Sequence, residues 1–159
     1  MPAQPIVDLK SLDLSRVVVD SAGVRKHCMQ RNRFALLDGV LAIDPKGEWI
    51  VGYKDLARED WWAADHIPGR PIFPGVLQLE GAAQLATYHF MTTVPNVSDK
   101  FVGFGGVDKT RFRAVVTPPS RLVLVAKSVR VRPSMFTYLA QGFVDDKLVM
   151  ETEILGVIV

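Results

Sequence analysis

Apolar and polar positions divide the chain into three regimes. From Met1 to Arg16 they are mixed, proline-containing and without a period, which reads as an arm, either free or strapped onto a neighbour. Asp20 and Ser21 are cap residues before a short helical stretch, Ala22 to Met29, that Gly23 interrupts. Strand signals begin at Phe34. Phe34 to Ala42 is apolar, Asp44-Pro45-Lys46-Gly47 supplies a turn, and Glu48 to Tyr53 returns, which predicts a hairpin. Ala57 to Ala64 reads as a short helix with Trp61 and Trp62 as buried anchors. Val76 to Met91 has no proline and few β-branched residues, and predicts one helix of about 24 Å at about 1.5 Å per residue.

After Thr92-Thr93-Val94-Pro95-Asn96 the period changes, and four strands are expected: Phe101 to Val116, Arg121 to Arg132, Met135 to Val144 and Leu148 to Val159. In the second of these, Val123, Val125, Val129 and Val131 alternate with Ser128, Arg130 and Arg132, the mark of a half-buried strand. Glycines 103, 105 and 106 suggest bends in the first. The sum is an α+β layout: about six strands, mostly antiparallel, with a long helix inserted after the second. That helix carries Gly81, Ala82, Ala83 and Ala86 among its leucines, so a curved sheet can wrap it closely.

Composition narrows the class. With 159 residues, 48% of them hydrophobic, the chain has material for one packed domain. We divide it into an arm with a short helix over residues 1–33 and a single domain over residues 34–159. The 19 basic and 17 acidic residues form no run of like charge, which argues against nucleic-acid and membrane-surface partners. The one cysteine, Cys28, cannot form an internal disulfide, and the first residues lack a signal-peptide core, so a cytoplasmic protein is expected. No apolar run spans a bilayer, because Gln78, Glu80, Gln84 and His89 interrupt the long helix.

The candidate chemistry sits where the loop Asp65 to Pro74 enters that helix. Pro68, Pro71 and Pro74 stiffen the loop, so His66 should be held in a non-helical frame. Glu80, fourteen positions on, is a carboxylate on an apolar helix, a placement that asks for a partner or a function. Singly, a loop histidine is most often structural and a glutamate near a helix start most often solvated. Together they are a base and an acid, able to remove a proton and expel a hydroxyl from adjacent carbons. Gly75 adds a backbone N–H at the positive end of the helix dipole, which would polarise a carbonyl. His89 reads as a helix-end residue, and His27 beside Cys28 lacks the further ligands of a metal site.

The run from His66 through Ile67-Pro68-Gly69-Arg70-Pro71-Ile72-Phe73-Pro74-Gly75-Val76-Leu77, with Glu80 and Ala83-Gln84 after it, closely resembles the signature of the β-hydroxyacyl-[acyl carrier protein] dehydratases of FabZ type. Phe34 to Asp38 is similar to the family's first core strand, and Gly106 to Arg113 to a second conserved segment, so the resemblance covers about Phe34 to Val159. It implies the hot-dog fold, a long helix wrapped by an antiparallel sheet. It also implies dehydration of a (3R)-3-hydroxyacyl thioester to the trans-2-enoyl form in fatty acid or related lipid synthesis. His66 would be the base and Glu80 the acid, the Gly75 N–H would hold the thioester oxygen, and no metal or redox cofactor is needed.

The same resemblance implies a homodimer as the minimal unit, often assembled into a hexamer, with His66 and Glu80 meeting across subunits. Gln84 and Asp65 would support the pair. Arg70, Lys109, Arg111 and Arg113 would face the acidic acyl carrier protein. Two features depart from the pattern. Asp65-His66-Ile67 stands where the family has Gly-His-Phe, and Gln30-Arg31-Asn32-Arg33 where it has Pro-His-Arg. A carboxylate closing on His66 would make it more basic and more often protonated. Two other readings stay open: a hot-dog thioesterase, in which a carboxylate activates water, and an acyl-binding subunit without catalysis.

Overall fold

The computed structural model describes residues 3–159; Met1 and Pro2, the start of the expected arm, lie outside the described residues. Six strands form one antiparallel sheet: β1 (Gly39–Ile43), β2 (Trp49–Leu56), β3 (Val102–Phe112), β4 (Ser120–Arg132), β5 (Met135–Val144) and β6 (Lys147–Ile158). Their order is β1-β2-β4-β5-β6-β3, so β1 and β3 are the edges. The helices are α1 (Ser21–Val24), α2 (Trp61–Asp65) and α3 (Gly75–Thr93), and α3 lies across the sheet, touching β2, β4, β5 and β6. This is the hot-dog layout, with the long helix after the second strand as expected. Among the described residues no helix is long and apolar enough to cross a membrane.

The small residues of α3 let it approach the sheet closely. A Cβ added at Gly81 would come within 3.1 Å of the Leu124 side chain and 3.2 Å of the Leu36 carbonyl oxygen. Ala82, Leu85, Ala86 and Phe90 pack there against Ile50, Leu122, Leu124, Ala126, Phe136, Tyr138 and Ile154 to form the main core. His89 belongs to this core and is no helix-end residue: it is 1% exposed, with Nδ1 2.6 Å from the Tyr138 hydroxyl. Burial lowers its pKa below the usual histidine value, against a weaker opposing pull from Asp44.

Several local expectations change. The first strand begins at Gly39 rather than Phe34, because residues 32–34 form a 3-10 turn entered through Asn32 at φ 55°. Leu36 gives its N–H to the Gln84 side chain instead of a neighbouring strand. The helix expected over Ala22 to Met29 ends at Val24, its start capped by Asp20, whose carboxylate accepts from the Gly23 N–H. Trp62 is the buried anchor, edge-on to Phe73 at 5.0 Å, while Trp61 is only half-buried.

In β4 the valines do not mark the core face. Leu122, Leu124 and Ala126 face α3, Val123 and Val125 face the other side, and a register shift between Ser128 and Arg130 leaves Val129 59% exposed. The alternation was therefore broken by a bulge that polar-apolar spacing does not reveal. The outer face is apolar because the arm covers it. Ile6, Val7, Leu9, Leu12 and Leu14 pack on Leu41, Val51, Tyr53, Val125 and Phe143 as a second, smaller core. Gln141 clamps the arm, its Oε1 accepting from the Ile6 N–H at 2.8 Å and its Nε2 donating to the Gln4 carbonyl at 2.9 Å.

Candidate active site

His66 caps the C-terminus of α2, its N–H donating to the Trp62 carbonyl at 2.9 Å. Its backbone is helical (φ −70°, ψ −65°), contrary to the expectation of a frame set by the prolines. The reason is local: Pro68 constrains Ile67, the residue just before it, and leaves His66 free to finish the helix. What orients the ring is the end of the loop. Nδ1 lies 2.9 Å from the Ile72 carbonyl oxygen, which can only accept, so Nδ1 carries a proton and Nε2 is the nitrogen left to act as a base. Asp65 is exposed and makes no ion pair with His66 among the described residues.

His66 lines a recess of about 520 Å³ together with Ile72, Gly75, Gln78, Phe112 and Val115, among others. Phe73 closes the loop behind it, its N–H donating to the Val116 carbonyl at 2.8 Å. Gly75 opens α3 directly after Pro74, and its N–H finds no protein acceptor among the described residues. A Cβ at this position would lie 2.7 Å from the Phe112 ring, so only glycine keeps the helix start in place against that wall. An unpaired N–H at the positive end of a helix dipole, beside an imidazole lone pair, can hold an oxygen that is gaining negative charge.

Glu80 lines a different recess, of about 200 Å³, with Gln30, Gln84, Thr87, Phe104, Phe136 and Gly156 among its walls. The two recesses share no lining residue, so one chain does not bring His66 and Glu80 into a common cavity. Gln84 holds the carboxylate: its Nε2 donates to Glu80 Oε1 at 2.8 Å and to the Phe34 carbonyl at 2.7 Å, while its Oε1 accepts from the Leu36 N–H at 3.0 Å. One Gln84 amide thus ties the acid to the core and to the chain that enters β1. Cys28 lies beneath, its thiol donating to the Gln84 carbonyl at 3.4 Å. Burial first, and the nearby Glu80 charge last, push this thiol up to about 12 against the opposing influence of Arg31, which leaves it a neutral filler.

The four basic residues expected at a rim are all exposed but differ in freedom. Lys109 pairs with Glu153 at 3.1 Å and Arg113 with Glu151, whereas Arg70 and Arg111 have no carboxylate partner among the described residues. Reasoning from sequence missed the Ile72 carbonyl, a backbone group with no sequence signal. It also passed over Gln78, whose only signal was a polar side chain in an apolar helix.

Comparison with known proteins bears on the family and the fold. The family model described as a FabA-like domain matches residues 29–153. A 3-hydroxyacyl-[acyl-carrier-protein] dehydratase FabZ from Desulfotalea psychrophila is 38% identical over 139 residues, 87% of this chain and 92% of the relative. One of the same name from Syntrophobacter fumaroxidans is 36% identical over 140 residues, 88% and 94% of the two chains. In fold alone, the chain is similar to a dehydratase heterocomplex from Xenorhabdus doucetiae (TM-score 0.73, 11% identity, 91% and 93% covered). It is also similar to a mutant thioesterase from Pseudomonas aeruginosa (TM-score 0.67, 15% identity, 92% and 99% covered). On its sequence from Met29 through Glu153, the chain belongs to the FabA-like family.

Proposed function

We propose that this protein dehydrates 3-hydroxyacyl-[acyl carrier protein] to the trans-2-enoyl thioester in fatty acid biosynthesis, as its FabZ-named relatives are named to do. The observation that carries the reading is the recess that His66 and Gly75 line together, with His66 Nδ1 held by the Ile72 carbonyl. The thioester oxygen sits on the Gly75 N–H, and His66 Nε2 takes the C2 proton. The C2–H electrons form the C2=C3 bond as the C3–O bond breaks. Glu80, its Oε1 engaged by Gln84, gives a proton from the other carboxyl oxygen to the leaving hydroxyl, which departs as water. Proton exchange with solvent then resets the pair.

Two copies make the site. His66 and Glu80 line separate recesses, β3 is an edge strand, and Phe101, Phe104, Val107, Phe112 and Val115 on and beside it are exposed. A second copy laid along β3 covers this apolar strip and brings the partner's acid to the base. Arg70 and Arg111, exposed and without a carboxylate partner among the described residues, supply free positive charge for an acidic carrier, and the reaction runs in the cytoplasm, where Cys28 stays reduced.

The test is incubation with a 3-hydroxyacyl and a trans-2-enoyl thioester, following enoyl absorbance and free thiol. Interconversion without thiol release is expected; thiol release would mean a thioesterase, and neither would mean an acyl-binding protein. His66→Ala and Glu80→Gln chains, each inactive, should regain activity when refolded together. A site complete within one subunit would not recover.

A further inference from the structure

Helix α3 starts without a side-chain cap. Pro74 stands in the cap position, and only its carbonyl serves the helix, accepting from the Leu77 and Gln78 N–H groups at 3.0 and 3.2 Å. What meets the first residue is an aromatic ring. Three atoms at the tip of Phe112, Cζ, Cε1 and Cε2, lie 2.7, 2.8 and 3.0 Å from the place a Cβ on Gly75 would take. The ring tip thus stands where a side chain at position 75 would begin. Its root is firm. Phe112 ends β3 opposite Met150 of β6, and the next two N–H groups, of Arg113 and Ala114, both donate to the Val149 carbonyl, at 2.7 and 3.4 Å. The ring is 50% exposed and belongs to neither apolar core, so removing it costs the interior little.

We infer that Phe112 is a positioning residue for the Gly75 N–H: its ring tip, set against Gly75, holds the uncapped first turn of α3 so that this N–H stays on the thioester oxygen. The inference rests on the dehydratase reading. A glycine restrains its own backbone least of all residues, so an uncapped turn that begins with one needs an outside support. Phe112, which lines the same recess as His66 and Gly75, supplies that support while leaving the N–H bare. The energetic consequence falls on the transition state. A hydrogen bond to the thioester oxygen is modest in the bound substrate and strengthens as C2 loses its proton and the oxygen gains charge. A first turn free to shift therefore lowers kcat more than it changes KM.

The experiment measures kcat and KM for a 3-hydroxyacyl thioester in Phe112→Ala, Gly75→Ala and the double variant, with the oligomeric state followed by sizing. Phe112→Ala should lower kcat about tenfold and leave KM within about twofold, because the N–H remains but is no longer held. Gly75→Ala alone pushes the helix start off the ring. In the double variant the alanine methyl enters the space the ring has left, so kcat should rise about fivefold above that of Gly75→Ala. A double variant no better than Gly75→Ala, as when two losses multiply to about a hundredfold, overturns the inference. So does an unchanged kcat in Phe112→Ala, a rise in KM alone, or a change of oligomeric state, which would assign the ring to the subunit interface. If Phe112→Ala does not fold by circular dichroism, Phe112→Leu is measured in the same way, alone and with Gly75→Ala. Wild-type protein that fails to convert the thioester at all overturns the dehydratase reading and the inference with it, whereas normal conversion with multiplying losses overturns the inference alone.

Discussion

The base and the acid of the proposed site are held by opposite means. His66 is exposed and fixed by one bond to the Ile72 backbone, on a loop whose share of the core is carried by Phe73 and not by the histidine. Glu80 is half-buried and fixed by Gln84, a 2%-exposed side chain that also satisfies the backbone of Phe34 and Leu36. On the first side, chemistry and stability are separable. On the second, the residue that aims the acid also closes the fold.

That contrast can be broken most sharply at His66. His66→Ala should lower kcat by about 10²–10⁴-fold, the usual worth of a positioned base, with stability changed by less than about 0.5 kcal/mol in urea unfolding. A matching loss of stability would end the distinction. Gln84→Leu should act on both quantities. Orphaning the Leu36 N–H and the Phe34 carbonyl should cost about 2–4 kcal/mol of unfolding free energy, and kcat should fall because Glu80 loses its anchor. A Gln84→Leu protein with normal stability would mean that the Gln84 bonds count for little.

Gly75→Ala tests the ground between the two sides. Its methyl would meet the Phe112 ring at 2.7 Å, so the helix start must shift, with about 1–3 kcal/mol of strain and roughly tenfold lower kcat at nearly unchanged KM. A rise in KM alone would place the N–H in ground-state binding only. The smallest effect is at His89, farther along the same helix. Its folded-state pKa lies below the unfolded value of about 6.5, so the stability it confers is complete above that pH and is lost as pH falls below it toward the folded value. The urea midpoint of the wild type should therefore drop between about pH 7 and pH 5 by more than that of His89→Gln. Equal drops would assign the acid sensitivity to other groups.

Much of the architecture could be read from spacing. The long helix was expected over Val76 to Met91 and runs from Gly75 to Thr93, and the last strands match to within a residue or two, because period and turn chemistry agree there. Where they failed, a long-range partner intervened. Phe34 to Leu36 has strand composition, but its backbone bonds go to Gln84, forty-eight positions from Leu36. The β4 valines looked like a core face until the bulge at Val129 and the covering arm gave each face its own apolar set. At the site, His66, Gly75, Glu80 and Gln84 stood out as residue types in a recognisable order. That His66 and Glu80 open into different recesses depends on the curvature of sheet around helix, which no local spacing encodes.

The strap formed by Ile6 to Leu14 has a consequence for assembly. An antiparallel sheet wrapped around one helix has a convex back, and on this chain that back would be as sticky as the β3 margin if left bare. Because the chain spends its own first residues on it, pinned at Gln141, lateral growth through the back is blocked before a second molecule arrives. In the proposed dimer, association is thereby left to the β3 margin beside the two recesses. Removing the arm should turn a selective pairer into an indiscriminate one, with the first sign a shift from a single species to polydisperse aggregates in light scattering.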